Sequence, residues 1–348
     1  LNTHKVPTRI ENQAMNTPQS TPTLAEPKAD TARSGFMQAW GTYVGLLLVL
    51  LAMIGLFSSM SEYFWSKETF VTIANEIPAL AVMAVGMTFV LILAGIDLSV
   101  GSVLALSAGV AAQAILLWGV NPWLAGLMGL VTGLLCGAVT GAVSVAWRLP
   151  SFIVSLGMLE ALRGGAYLVT DSRTQYVGDA ISGLAAPIVD GVSAAFLIAV
   201  VVVIIGQIVL TRTVFGRYVI GIGTNEEAMR LAGIDPRPVR IAVFAITGLL
   251  AGLAGLMQSA RLEAADPNAG TGMELQVIAA VVIGGTSLMG GRGSVIATFF
   301  GVLIIAVLEA GLAQIGASEP SKRIITGAVI VVAVIIDTVR QRRAARSA

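Results

Sequence analysis

From residue 34 onward the chain alternates between long, nearly uncharged runs and short polar interruptions. The runs cover residues 34–61, 77–96, 98–147, 149–170, 191–211, 241–260, 275–291, 293–315 and 324–336. A helix needs about 20 apolar residues to cross a bilayer, so 98–147 holds two spans. Gly119-Val120-Asn121-Pro122 forms the turn between them, with Trp118 and Trp123 as interfacial anchors. The pattern predicts an all-α polytopic membrane protein with about ten transmembrane helices, some short or broken. Pro78 opens the second span. Residues 275–291 are Gly-rich and either broken or half-buried, and 324–336 spans if Lys322, Arg323 and Asp337 reach the interface.

Residues 1–35 are rich in Pro, Thr, Asn and Gln and form a disordered cytoplasmic tail. Residues 36–340 are the transmembrane domain and 341–348 a basic cytoplasmic tail. No basic stretch and short apolar core precede a small-residue cleavage site, so a cleaved signal peptide is not expected. With both termini cytoplasmic, fifteen of the 21 Lys and Arg fall on the cytoplasmic side, as the positive-inside rule requires.

Only 12% of the 348 residues are charged and 56% are apolar, with a mean hydropathy of +0.86; a soluble domain carries about 25% charged residues. A net charge of +1 argues against a nucleic-acid partner. The single cysteine, Cys136, lies in an apolar run and the single histidine, His4, in the tail, so metal sites built on His and Cys are excluded. No G-x-x-x-x-G-K-[ST] loop surrounds any of the four lysines, so the chain binds no nucleotide by that motif.

The polar interruption at 212–240 carries five arginines, Arg212, Arg217, Arg230, Arg237 and Arg240. Its centre reads as one short helix over 226–232. Thr224 or Asn225 caps it, Glu226 and Glu227 occupy the first turn, Arg230 the last, and Gly233 the left-handed stop. Such a helix is too short to stand alone in water. It is either a docking element for a soluble partner or a solvated loop.

Gly95-Ile96-Asp97-Leu98-Ser99 is the most distinctive intramembrane string. Gly95 ends one helix, and Asp97 either caps the next by accepting from the amide of Ser99 or Val100 or, as an ionisable residue in a span, takes a direct part in transport. Glu160 and Arg163, at i and i+3, are expected to pair within the membrane, the alternative being that they line the pathway. The stretches from Leu93 and from Ile283 resemble each other and both restart on Gly-Ser-Val, at Gly101-Ser102-Val103 and Gly293-Ser294-Val295, an internal repeat of interrupted helices.

Three strings, GMTFVLILAGIDLSVGS (86–102), GTNEEAMRLAGI (223–234) and AGTGMELQVIAAVVIGGTSLMGGRGS (269–294), resemble the permease subunits of bacterial ribose-type sugar ABC importers. The likeness runs from about residue 70 to 340. It implies a multi-pass inner-membrane permease paired with a second, identical or similar copy. Two ATPase subunits using ATP and Mg stand below, and a periplasmic sugar-binding protein above; no cofactor is bound by the permease itself. It implies that 212–240 carries the helix docking on the ATPase, through Gly216, Arg217, Gly223, Asn225, Glu227, Ala228, Leu231, Gly233 and Ile234. The matching intramembrane motif residues are Gly95, Asp97, Ser99, Gly101, Gly284, Gly285, Gly290 and Gly291.

The cargo is expected to be ribose or a similar monosaccharide, with autoinducer-2 or a polyol as alternatives and an ion-coupled secondary transporter as the competing class. A pathway that releases its cargo is expected to be weakly polar; Asn75, Met87, Thr88 and Gln276 are its candidates. Arg261, Glu263, Asp266 and Glu274 around Pro267 either meet the binding protein or form a wet loop.

Overall fold

A computed structural model describes Thr3 and residues 30–346; of the tail expected to be disordered over 1–35, residues 30–35 are instead helical as the start of α1, and of the basic tail at 341–348, residues 341–346 continue the last helix, the remainder of each tail, Thr3 apart, lying outside the described residues. The chain divides at Gly41 into a short first unit and a second, Thr42–Ala348. In order, the helices are α1 (Asp30–Met60), α2 (Lys67–Glu76), α3 (Pro78–Ile92), α4 (Val100–Leu116), α5 (Pro122–Ala146), α6 (Ser151–Val169), α7 (Ala194–Arg212), α8 (Val214–Thr224), α9 (Glu226–Leu231), α10 (Pro236–Leu262), α11 (Met273–Ile283), α12 (Val295–Gln314) and α13 (Glu319–Arg346). Their starts follow local chemistry. Ser66, Asn121, Ser193, Asp235 and Ser294 cap α2, α5, α7, α10 and α12 through their side chains, and Pro opens α3, α5 and α10.

Among the described residues, six helices are long and apolar enough to cross a membrane: α1 from Gly41, α5, α6, α7, α10 and α12. The pair α2–α3, bent by 47°, makes a seventh, and α4 and α11 are shorter apolar helices. The remaining expected span, 324–336, lies within α13. Apolar side chains point outward on the long helices, with Leu48, Trp123 and Ile204 all exposed, as a lipid-facing surface requires. The protein is thus an all-α polytopic membrane protein.

The interior is built around α3. It is apolar on all sides, and every residue from Pro78 to Ile92 is buried, the expected place for a helix without a polar face. Thr88 Oγ1 and Thr298 Oγ1 meet at 2.9 Å and tie α3 to α12. Against this core lies the closest helix pair, α5 with α10. A Cβ on Gly133 would strike the Gly248 carbonyl, and one on Gly248 the Gly133 carbonyl. Stripes of small residues let the two backbones touch, which replaces the hydrophobic drive that lipid cannot supply.

One feature lies outside the hydropathy pattern, and one expectation is corrected. The segment between α6 and α7 holds short β structure: β1 (Gln175–Tyr176) pairs antiparallel with a strand at Ala264–Ala265, and β2 (Pro187–Val189) with β3 (Val192–Ser193). Two-residue ladders carry no sequence period to read. The two Gly-Ser-Val triplets are not equivalent. Ser294 caps α12 and Gly293 lies against Ile92, whereas Gly101 is already inside α4 and packs on the Gly270 carbonyl, just before α11.

Candidate functional site

Between the end of α7 and the start of α10 the chain folds as two short helices, α8 and α9, the second being the one expected over 226–232. Asn225 caps α9, its Oδ1 accepting from the Ala228 amide at 3.0 Å, while Thr224 is spent inside α8, donating to the Ile220 carbonyl at 2.8 Å. Gly233, with φ +82°, stops α9. The Gly233 amide reaches the Arg230 carbonyl at 2.9 Å and the Ile234 amide the Met229 carbonyl at 3.0 Å, the paired bonds of a Schellman end. The unforeseen helix is α8. Thr213 caps it, and buried Gly216 lies so near the Leu210 carbonyl that no Cβ fits. α8 therefore folds back tightly on the end of α7.

On α9, Met229 faces Gly221 and the core, and Ala228 and Leu231 face outward, Leu231 being 82% exposed. Arg217, Asn225, Glu227 and Gly233 are also exposed, and Ile234 is half-buried. Glu226 anchors the helix by accepting from Arg230 at 2.6 Å and from Arg240 of α10. Partial burial alone would raise its pKa. The hydrogen bonds and charges of Arg240, then Arg230, outweigh it and hold the carboxyl below the usual carboxylate range.

The end of α8 meets the other two motifs in a junction made of backbone. The Gly291 amide donates to the Ile92 carbonyl at 2.8 Å. A Cβ on Gly223 would overlap that same Ile92 carbonyl, and one on Gly290 would press on the Gly223 carbonyl and on Ala94. The 284–294 turn is shaped for this by left-handed Gly285, Gly290 and Gly291 at φ +84°, +87° and +75°. Gly284 packs against the backbone of Ala297 and Thr298 at the start of α12.

The left-handed residue after α3 is Ala94 (φ +56°), not Gly95. The Ala94 amide bonds the Leu91 carbonyl and the Gly95 amide the Val90 carbonyl, both at 2.9 Å. The helix thus ends one residue earlier than the glycine suggests. Asp97, fully buried, accepts from the Ser99 amide at 2.9 Å and the Ser99 hydroxyl at 2.6 Å; it closes the turn ahead of α4 on Ser99 and does not cap the helix itself, whose N-cap Ser99 makes no side-chain cap bond. Ser151 and Ser155 of α6 complete the turn, accepting from the Ile96 and Leu98 amides at 3.0 Å each.

At the far end of α3, where the chain carries few arginines, a cavity of about 700 Å³ opens. Pro78 and Leu80 of α3, Gln258 and Arg261 of α10, Gln276 of α11 and Glu309 of α12 are among its walls. Gln276 donates to Glu309 at 2.8 Å, and Arg261 pairs with Glu76 at 3.6 Å. Of the four pathway candidates, Asn75 and Gln276 line the cavity. Met87 and Thr88 are wholly buried in the core, because α3 presents only its first turn to the cavity.

The Glu160–Arg163 pair is not formed. Arg163 instead donates to the Pro267 and Ala269 carbonyls at 2.6 and 2.8 Å, binding the 263–272 loop to α6, and Glu160 is exposed. Asp266 turns inward on its own loop to accept from the Asn268 amide at 2.8 Å, and Glu274 accepts from the Gly272 amide at 3.2 Å. Glu309 and Gln258 were given no part by sequence. A lone carboxylate in an apolar run was the available signal for the first.

The family whose description is branched-chain amino acid transport system / permease component matches residues 69–334. The chain is similar to the Escherichia coli (strain K12) ribose import permease protein RbsC, 38% identical over 318 residues that cover 89% of this chain and 98% of the relative. It is similar to the D-allose transport system permease protein AlsC of the same strain, 34% identical over 87% of this chain and 93% of the relative. The fructose import permease protein FrcC of Rhizobium meliloti is 32% identical over 87% and 86%. No solved structure matches the chain.

Proposed function

The chain belongs to the branched-chain amino acid transport system / permease component family, a family of multi-pass membrane proteins, and from that premise we propose that it is the membrane subunit of an ATP-driven monosaccharide importer. Its similarity to permeases named for ribose, allose and fructose supports a sugar cargo. In this reading the arginine-rich face is cytoplasmic and the cavity opens toward the periplasm, where a soluble binding protein delivers the sugar. A second permease copy completes the membrane pathway. ATP and Mg are used by two separate ATPase subunits.

The observation that carries the reading is the pairing of an exposed, self-capped α9 with a rigid backbone junction behind it. α9 offers Leu231 and Ala228 to a partner groove, with Arg217 and Arg230 able to meet acidic groups at its rim. Behind it, Gly223 touches α3, and Gly290 and Gly291 join both to the turn after α11. α3 is about 22 Å long at 1.5 Å per residue, and α3 and α11 both end at the cavity. A push on α9 therefore has a route to the cavity along α3, and a second along α11 by way of the 284–291 turn.

Reconstitution tests this. Vesicles holding the permease, its two ATPase subunits and its binding protein should accumulate labelled sugar only while ATP is hydrolysed. Accumulation by this polypeptide alone, driven by a proton or sodium gradient, would overturn the proposal in favour of secondary transport.

A further inference from the structure

On the import reading above, the geometry points to a sugar-reading triad inside the permease itself: Gln258, Gln276 and Glu309, on α10, α11 and α12. The pathway is then a selective site for neutral, hydroxyl-rich solutes and not the weakly polar lining expected from sequence.

Three observations meet there. Gln258 lines the cavity, and its Oε1, shielded from solvent, has no hydrogen-bond partner; rotation of the amide that brings the oxygen to a ligand or water in the cavity would satisfy it. Glu309 stands in the otherwise uncharged helix α12, where a carboxylate is costly unless it is used. The Gln276–Glu309 bond occupies one amide hydrogen and one carboxylate oxygen. The other hydrogen, the Gln276 oxygen and the second Glu309 oxygen have no protein partner among the described residues. With the amide of Gln258 the triad thus offers both donors and acceptors, which suits a ring whose hydroxyls both give and accept hydrogen bonds.

Charge narrows the class. Glu76, Glu309 and Glu319 line the cavity against Arg261, which is already paired with Glu76. Lys322 and Arg323, on the adjoining wall and not on the cavity's own, are both tied to Glu319, at 3.8 and 3.5 Å. A phosphorylated sugar would meet this excess of carboxylates unfavourably; a neutral monosaccharide would not. A cavity of about 700 Å³ also exceeds what one monosaccharide fills, leaving water around it. That suits a site that must release its cargo.

The test reads occupancy directly. In full-length protein carrying Cys136→Ser and Ala306→Cys, a cysteine faces the cavity and reacts with a methanethiosulfonate reagent. In nanodiscs, D-ribose or D-fructose at high concentration should slow that reaction several-fold, and ribose 5-phosphate should not. Glu309→Gln and Gln276→Ala should abolish the protection. Gln258→Leu, which keeps the volume, should weaken it while the protein remains monodisperse. Protection that is unchanged in all three variants, or equal for ribose 5-phosphate, overturns the triad. So does absence of protection in a chain that supports ATP-dependent sugar uptake with its partner subunits. A chain that supports no such uptake overturns the import reading instead.

Discussion

The amide of Gly291 donates to the carbonyl of Ile92 at 2.8 Å, joining the turn after α11 to the end of α3. Gly223 lies against that same carbonyl. The three sequence motifs that carry the family resemblance therefore converge on one point, where backbone groups meet with the methyl of Ala94 and the side chain of Thr224 beside them.

Gly223→Ala should be strongly disruptive, because its Cβ would overlap the Ile92 carbonyl, a backbone atom. Overpacking of this kind costs about 1–3 kcal/mol or more. Gly233→Ala has open space around it and bears only the left-handed penalty of φ +82°, about 1 kcal/mol. Thermal unfolding of the two purified variants checks the order; an equal loss would mean the junction yields.

Leu231→Asp should leave the protein inserted and folded, since Leu231 is 82% exposed, yet abolish energised uptake. The variant should also fail to retain ATPase subunits on affinity purification. Subunits that co-purify undiminished would place the docking surface elsewhere.

Arg163→Ala should destabilise the 263–272 loop by removing two charge-assisted bonds to carbonyls, each worth about 1.5–3 kcal/mol. Glu160→Gln should be nearly silent. Protease sensitivity of the loop distinguishes this from an intramembrane Glu–Arg pair, in which both substitutions would matter.

Acidification should loosen α9 from α10. The folded-state pKa of Glu226 lies below the ordinary 4.5. Its stabilising contribution is therefore fully present above about that pH and is lost as pH falls through the lower folded value. Hydrogen exchange at 226–233 should rise across that window in the wild type. In Glu226→Gln it should be faster at neutral pH and flat across the window.

Spans and caps were legible because they are local. Hydropathy runs mark helices, Asn225 and Gly233 mark the ends of α9, and Asp97 announces a turn. The junction was not, because Gly223, Ile92 and Gly291 meet through carbonyls and amides, which every residue carries. Arg163 was misread for a related reason: its acceptors are the backbone of Pro267 and Ala269, and no side-chain spacing encodes them. α8 was missed because its glycines lower helix propensity; packing of Gly216 on the end of α7 overrides that. The cavity was only half visible, since Gln276 and Glu309 become neighbours through the antiparallel course of α11 and α12.

A seam made of carbonyls and amides has no rotamers. Where two elements meet through long side chains, a small imposed shift is absorbed as χ angles change wells. At Gly223, Ile92 and Gly290 nothing can yield in that way, so the contact is stiff, and displacement on one side must emerge as displacement on the other.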